Sequence, residues 1–131
     1  MSQYILAIDQ GTTNTKALLV DRTGRVAARG AVATPVAYPR PGWVEQDPVA
    51  IWRCTQRAIG SALATLQDPD RRIVAIGVSN QRETALLWDR KTGRPVGPAV
   101  VWQCRRSGAI CEALRAAGHE PRVQARTGLQ L

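Results

Sequence analysis

Asp9, Gly11, Thr12, Thr13, Asn14 and Lys16 fall within eight consecutive residues, between two apolar runs, Leu6 to Ile8 and Ala17 to Val20. A glycine lets backbone approach an anion without a Cβ in the way, and the two threonines and the asparagine add donors beside exposed N–H groups. Lys16 adds positive charge. Asp9 is the right group to hold a hydrated Mg²⁺ against phosphate oxygens, through water, because Mg²⁺ keeps its waters and asks for only one or two carboxylates. The stretch is neither G-x-x-x-x-G-K-[ST] nor G-x-G-x-x-G. It reads as a polyphosphate site; a hairpin turn that is merely rich in polar residues has the same composition. A second group follows another apolar strand: Arg82 and Glu83 pair a rigid donor fork with an acceptor carboxylate, a combination that binds neighbouring hydroxyls. Trp102 offers an apolar wall for a carbon skeleton. The plain alternatives are a loop ion pair for Arg82 and Glu83, and core packing for Trp102.

Both groups need elements that bring them together. The run Leu6 to Asp21 reads as two strands joined by a polar turn. Asp21-Arg22-Thr23-Gly24-Arg25 is a second turn, and a third strand runs from Val26 to about Val32, giving an antiparallel meander whose first tip is free to face a ligand. Thr34 to Asp47, with three prolines and a glycine, is expected to be a loop. Asp47-Pro48 starts a helix with Ile51, Ile59, Ala62, Leu63 and Leu66 on one face, stopping by Asp68-Pro69. Ile73 to Ser79 is almost wholly apolar, as expected of a parallel strand buried on both faces. Asp89 to Arg94 repeats the turn chemistry of Asp21 to Arg25. Pro98 to Trp102 is a short extended piece, followed by a helix with Ile110, Leu114 and Ala117 on one face and Gly118 as its stop. A short helix around Arg122 to Arg126 closes the reading. In an open α/β sheet ligands sit at strand ends, which is where both groups fall.

Composition narrows the rest. At 131 residues, 44% hydrophobic and 21% charged, the chain is globular and sized for one domain or part of one. No apolar run reaches the ~20 residues of a membrane span and no secretory leader is evident, so a soluble, cytoplasmic protein with no membrane partner is expected. Cys54, Cys104 and Cys111 make an odd count with no C-x-x-C pair, which points to neither a disulfide framework nor a zinc site. His119, the single histidine, sits in a loop context. A net charge of +8 invites a nucleic-acid hypothesis, but the basic residues are spread with no run longer than two, whereas a binding footprint clusters them. No nucleic-acid partner is expected.

Four separated motifs carry a resemblance: Asp9-Gln10-Gly11-Thr12-Thr13, Pro41-Gly42-Trp43-Val44-Glu45-Gln46-Asp47-Pro48, Asn80-Gln81-Arg82-Glu83-Thr84 and Trp102-Gln103-Cys104-Arg105-Arg106. In order and spacing the chain resembles the FGGY carbohydrate kinases along essentially its whole length. The resemblance implies an α/β, actin-like, ribonuclease-H-like fold in which ATP and Mg²⁺ lie in a cleft between two such domains. Residues 1–131 then correspond to the N-terminal part of the first domain, with the C-terminal domain absent. Thr12, Thr13, Asn14 and Lys16 look like nucleotide-phosphate contacts, Asp9 like the metal's, Arg82 and Glu83 like glycerol-hydroxyl ligands, and Trp102 like the residue that packs on the glycerol carbons. The implied reaction is ATP-dependent phosphorylation of glycerol, or a similar polyol or sugar, at a terminal hydroxyl. Asn14-Thr15 stands where members commonly have two serines and Lys16 where many have arginine, which leaves room for another substrate. The family's catalytic base, an aspartate, lies beyond the matched region, so no catalytic residue is assigned and the chain alone is expected to be inactive. Glu83 already has a role as a hydroxyl ligand. A non-catalytic fragment is the alternative, and a subdomain cut from a larger core is expected to self-associate through exposed apolar surface.

Overall fold

The computed structural model describes residues 2–131, and for residues 70 and 71 the backbone alone. The three-strand meander forms as expected: β1 (Tyr4–Gln10), β2 (Asn14–Asp21) and β3 (Val26–Ala33) pair antiparallel in sequence. Between β2 and β3 the Asp21 carboxylate accepts bonds from the Thr23 and Arg25 backbone N–H groups, and Gly24 takes the positive φ (84°) that closes the turn. A two-residue strand β4 (Glu45–Gln46) then precedes helix α1 (Pro48–Leu63). Asp47 caps α1 by accepting from the Val49 N–H at 2.9 Å, with Pro48 in the first turn where no donor is needed. A single turn, α2 (Pro69–Arg72), leads into β5 (Ile73–Asn80), which runs parallel to β1. The sheet order is β3-β2-β1-β5, the mixed sheet expected of the N-terminal portion of an actin-like, ribonuclease-H-like fold.

The core lies under α1. Leu6 and Ile8 of β1 pair with Leu19 and Ala17 of β2, so the four share a face, and Ala58 and Ala62 of α1 close onto them. Gly30 of β3 makes that approach possible: a Cβ there would lie 2.1 Å from the Ala58 carbonyl oxygen. Of the residues expected on the inner face of α1, Ala62 is fully buried, while Ile51, Ile59, Leu63 and Leu66 are half-buried at its margin.

Three expectations need correction. Thr34 to Asp47 is not all loop, since β4 pairs with β6 (Ala99–Val100) and Ala37 bridges Glu45. Two-residue strands carry too little periodicity to be read locally. The first helix stops before Asp68 as expected but already at Leu63, so Leu66, read on its inner face, lies beyond it. And β5, read as buried on both faces, is an edge strand whose Val74, Ile76 and Val78 are 56, 63 and 67% exposed. Ile76 and Val78 pair with Leu6 and Ile8 and so share the face that α1 covers further along, but α1 crosses β2 and β3 and does not extend over β5.

Helices α3 (Gly108–Ala116) and α4 (Glu120–Thr127) form where expected, α3 ending in a Schellman arrangement in which the Gly118 and His119 N–H groups reach back to the Arg115 and Leu114 carbonyls. The Ile110 and Leu114 face of α3 is exposed. His119 is exposed, and all three cysteines are free. Among the described residues no helix is long and apolar enough to cross a membrane, and no cluster of His, Cys, Asp and Glu is arranged to hold a metal on its own.

Candidate active site

The ends of β1 and β5 lie side by side because the strands are parallel and in register, Asp9 beside Ser79 and Gln10 beside Asn80. A further bond, from the Gln81 N–H to the Gln10 carbonyl at 2.8 Å, continues the pairing by one residue before the chain turns away. Arg82 and Glu83 therefore leave the sheet directly beside the β1–β2 hairpin. That hairpin is tight. The Gly11 N–H donates to the Asn14 carbonyl at 3.1 Å, and a Cβ at Gly11 would lie 2.9 Å from the same oxygen. Thr13 and Asn14 are exposed at the tip, where donors are free to meet an anion.

Asp9 pairs across the hairpin with Lys16, on the sheet face opposite α1. Their charged atoms are 3.9 Å apart and both side chains are more than half exposed, so the pair contributes little to stability and leaves both groups available. Glu83 holds a left-handed φ of 55°, a conformation that costs a non-glycine residue about 1–2 kcal/mol. Backbone strain of this kind is concentrated at functional sites.

Trp102 comes from the other sheet. Behind it, the second and fourth motifs are packed on each other. The guanidinium groups of Arg40 and Arg106 both lie over the Trp43 ring, 4.9 and 3.9 Å from its centre, Arg106 forms a 2.7 Å ion pair with Glu45, and the Arg105 N–H donates to the Gly42 carbonyl at 2.7 Å. These residues build a support beside β4 and β6, where Val44, Ala99 and Val101 are buried. Burial would raise the Cys104 thiol, but bonds from the backbone N–H groups of Val44 and Arg106 and from the Arg106 guanidinium hold it below the usual thiol range. From this support the Trp102 indole N–H reaches the Thr12 hydroxyl at 3.0 Å. Trp102 is 56% exposed, so it is not core.

One cleft of about 550 Å³ results, lined by Asp9, Thr12, Arg82, Glu83 and Trp102 among others. Thr13, Asn14 and Lys16 sit at the adjoining hairpin and do not line it. Residue-by-residue reasoning passed over Gln10, Gln46 and Gln81. The Gln81 amide is bonded to both of the others and to Thr12, while Gln46 is 1% exposed. A glutamine carries no composition signal for such a role; the clue is that all three sit inside the motifs, Gln10 and Gln81 directly beside candidate ligands.

Residues 4–131 match the N-terminal domain of the FGGY family of carbohydrate kinases. The chain belongs to that family. Over 127 residues it is 53% identical to a glycerol kinase of Rhodospirillum centenum, covering 97% of this chain and 26% of that protein. A Paracidovorax citrulli glycerol kinase is 46% identical over 128 residues, 98% of this chain and 25% of that one. Among solved structures, Plasmodium falciparum glycerol kinase with ADP superposes at a TM-score of 0.86 and 28% identity over 98% of this chain and 26% of that one. A xylulose kinase of Rhodospirillum rubrum superposes at 0.86 and 29% identity over 96% of this chain and 26% of that one. This FGGY chain thus spans about a quarter of the length of the relatives that it matches.

Proposed function

We propose that this chain supplies the polyol-binding wall and one phosphate-binding wall of an ATP-dependent kinase that transfers the γ-phosphoryl group to a terminal hydroxyl of glycerol. The observation that carries the reading is the convergence of Arg82, Glu83 and Trp102 with Asp9, Gly11 and Thr12 in one cleft, beside the hairpin tip. Arg82 donates to the substrate's hydroxyl oxygens, Glu83 accepts from its hydroxyl protons, and the exposed face of Trp102 covers the carbons. The tip at Thr12, Thr13 and Asn14, with Lys16 behind it, takes the phosphates of the nucleotide. Asp9, a half-exposed carboxylate at a strand end with only a loose 3.9 Å pairing to Lys16, fits a hydrated Mg²⁺ held through water, because that ion asks for one or two carboxylates and completes its shell with water and phosphate. When bound, the ion neutralises charge that develops on the phosphate oxygens.

Phosphoryl transfer rests on positioning and charge stabilisation, and it needs both walls of the phosphate site and an oriented hydroxyl. This chain is read as part of the first of two domains, with the base and the adenine-binding wall supplied by the other three quarters of the kinase, acting in the cytoplasm. The same reading makes the bare side of β5 an internal surface of the larger protein. On its own the chain self-associates there, and light scattering that finds a stable monomer would count against this.

The test is a coupled ADP-release assay with Mg·ATP and glycerol, on the chain alone and on the chain joined to the remaining segment of the Rhodospirillum centenum enzyme. Activity in the joined protein that is lost with Arg82→Ala or Glu83→Ala supports the reading. A folded joined protein that ignores glycerol but turns over xylulose or gluconate would replace the substrate, and one inactive on all three would point to a non-catalytic relative.

A further inference from the structure

Each side-chain amide in the floor of the cleft has its direction dictated by a neighbour. Gln46 lies beneath the hairpin, and its Nε2 donates to the Thr12 backbone carbonyl at 2.7 Å. A carbonyl only accepts, so this bond turns the Gln46 oxygen toward Gln81. Gln10 is set in the same way: its Nε2 donates to the Gly11 carbonyl at 3.0 Å, which turns its oxygen toward Gln81 as well. Facing two acceptors, Gln81 must present its Nε2, and it donates to Gln46 at 2.9 Å and to Gln10 at 3.3 Å. Its own oxygen then faces the hydroxyls of Thr12 (3.2 Å) and Thr84 (3.0 Å), both of which donate to it. With its proton committed to Gln81, the Thr12 hydroxyl turns a lone pair toward the Trp102 indole N–H, 3.0 Å away. All four bonding positions of the Gln81 amide are used, and an amide flip at any one step would set like groups against each other.

We propose that Gln81 and the buried Gln46 are positioning residues that hold the Trp102 wall against the phosphate hairpin, by fixing which way the Thr12 hydroxyl points. Neither touches the reacting atoms. Their effect passes through Thr12, the one residue shared by the phosphate hairpin and the Trp102 contact, so the polyol wall stays in place only while the relay is intact. The role of Trp102 toward a polyol rests on the function proposed above; the relay itself does not.

The indole N–H signals of ¹⁵N-labelled chain test the two separately, with Trp102 assigned by Trp102→Phe. In Gln81→Met, exchange of the Trp102 indole proton with water is expected to rise about tenfold and its shift to move, while Trp43, Trp52 and Trp88 keep theirs. Gln46→Glu, which puts an acceptor against the Thr12 carbonyl, is expected to do the same, and Thr12→Ser to behave as the unaltered chain. If Gln81→Met proves unfolded, Thr12→Val removes the hydroxyl that joins Gln81 to Trp102 and leaves the bonds among the three glutamines in place. A dispersed spectrum in which Gln81→Met or Thr12→Val leaves the Trp102 signal and its exchange unchanged overturns the relay. Glycerol titration follows the same signal: a response in the unaltered chain that Gln81→Met weakens about tenfold supports the relay's role in binding. A Trp102 that answers the substitutions but never glycerol would keep the relay and refute the substrate.

Discussion

β1 and β5 are parallel neighbours of similar length and similarly apolar sequence, and both end at the same cleft, yet one is half in the core and the other is bare. Leu6 and Ile8 are 4 and 8% exposed, while their cross-strand partners Ile76 and Val78 are 63 and 67% exposed on the same face. The difference is α1. Its alanines and Gly30 let the helix settle onto β2 and β3, close enough to cover the near edge of β1 and no further. An apolar run reports the surroundings that a strand was selected for, not those that a given stretch of chain supplies.

Deleting core methyl groups should separate the two strands most sharply. Leu19, fully buried beside Leu6, is expected to cost about 3 kcal/mol as Leu19→Ala, because the cavity cannot collapse against a sheet and a helix backbone. Ile76→Ala, by contrast, should stay within about 0.5 kcal/mol, as surface substitutions do, in solutions dilute enough that the chain is monomeric and β5 is bare. Urea denaturation of both variants measures the gap, and equal costs would mean that β5 is covered in solution.

Glycines offer the reverse experiment. Gly30→Ala drives a methyl group into the backbone of α1, an overpacking penalty of about 3 kcal/mol, near the upper end of the usual range because the obstacle at 2.1 Å is a carbonyl and not a flexible side chain. At Gly77 in β5 nothing lies within 4 Å of the added carbon, so Gly77→Ala should stabilise by about 0.5 kcal/mol through reduced freedom of the unfolded chain. Thermal melts of the pair should move in opposite directions; a destabilised Gly77→Ala would show that another group packs there.

The same contrast explains what could be read in advance. The meander, α1 and the parallel strand rest on periodicity, an Asp-Pro cap and the Asp-x-x-Gly turn at Asp21, all local features of the chain. That Asp9, Arg82, Glu83 and Trp102 would meet at one cleft was legible because their types stand out at the ends of apolar runs. The coverage of β5 was not legible, because it depends on how far one helix reaches. Nor was the glutamine floor: Gln10, Gln46 and Gln81 meet from β1, β4 and the end of β5, and no spacing along the chain encodes that meeting.

Where the strands end, the comparison becomes one of strain. Glu83 and Asp68 both hold left-handed φ, 55° and 53°, Glu83 at the cleft and Asp68 at the start of α2. Replacing either by glycine should stabilise the fold by about 1 kcal/mol, since the penalty for a side chain in that conformation disappears. Only Glu83→Gly should also abolish the response of the cleft to glycerol. Denaturation and titration together decide it: a Glu83→Gly chain that still binds removes Glu83 from the substrate site.

The smallest effect concerns two turns with the same chemistry. The Asp21 carboxylate is held below the usual carboxylate range, most by the Thr23 hydroxyl and then by the Arg25 and Thr23 backbone N–H groups. Asp89 is lowered likewise, most by the Thr92 N–H and then by its hydroxyl. A carboxyl whose folded value lies below its unfolded one contributes stability that is complete above the unfolded value and is lost as pH falls through the folded one. Acidification below about pH 4 should therefore loosen both turns. The consequences should differ, because Asp21 joins two eight-residue strands of the α1-covered sheet, whereas Asp89 closes a turn flanked by a single bridge, Trp88 to Pro95. Amide exchange followed against pH should show protection falling along β2 and β3 with Asp21 but only between Trp88 and Pro95 with Asp89. Asp21→Asn should remove the first dependence and leave the second. If acid opens β2 and β3 equally in Asp21→Asn, another titrating group governs the hairpin, and the turn carboxylate adds nothing to its pH dependence.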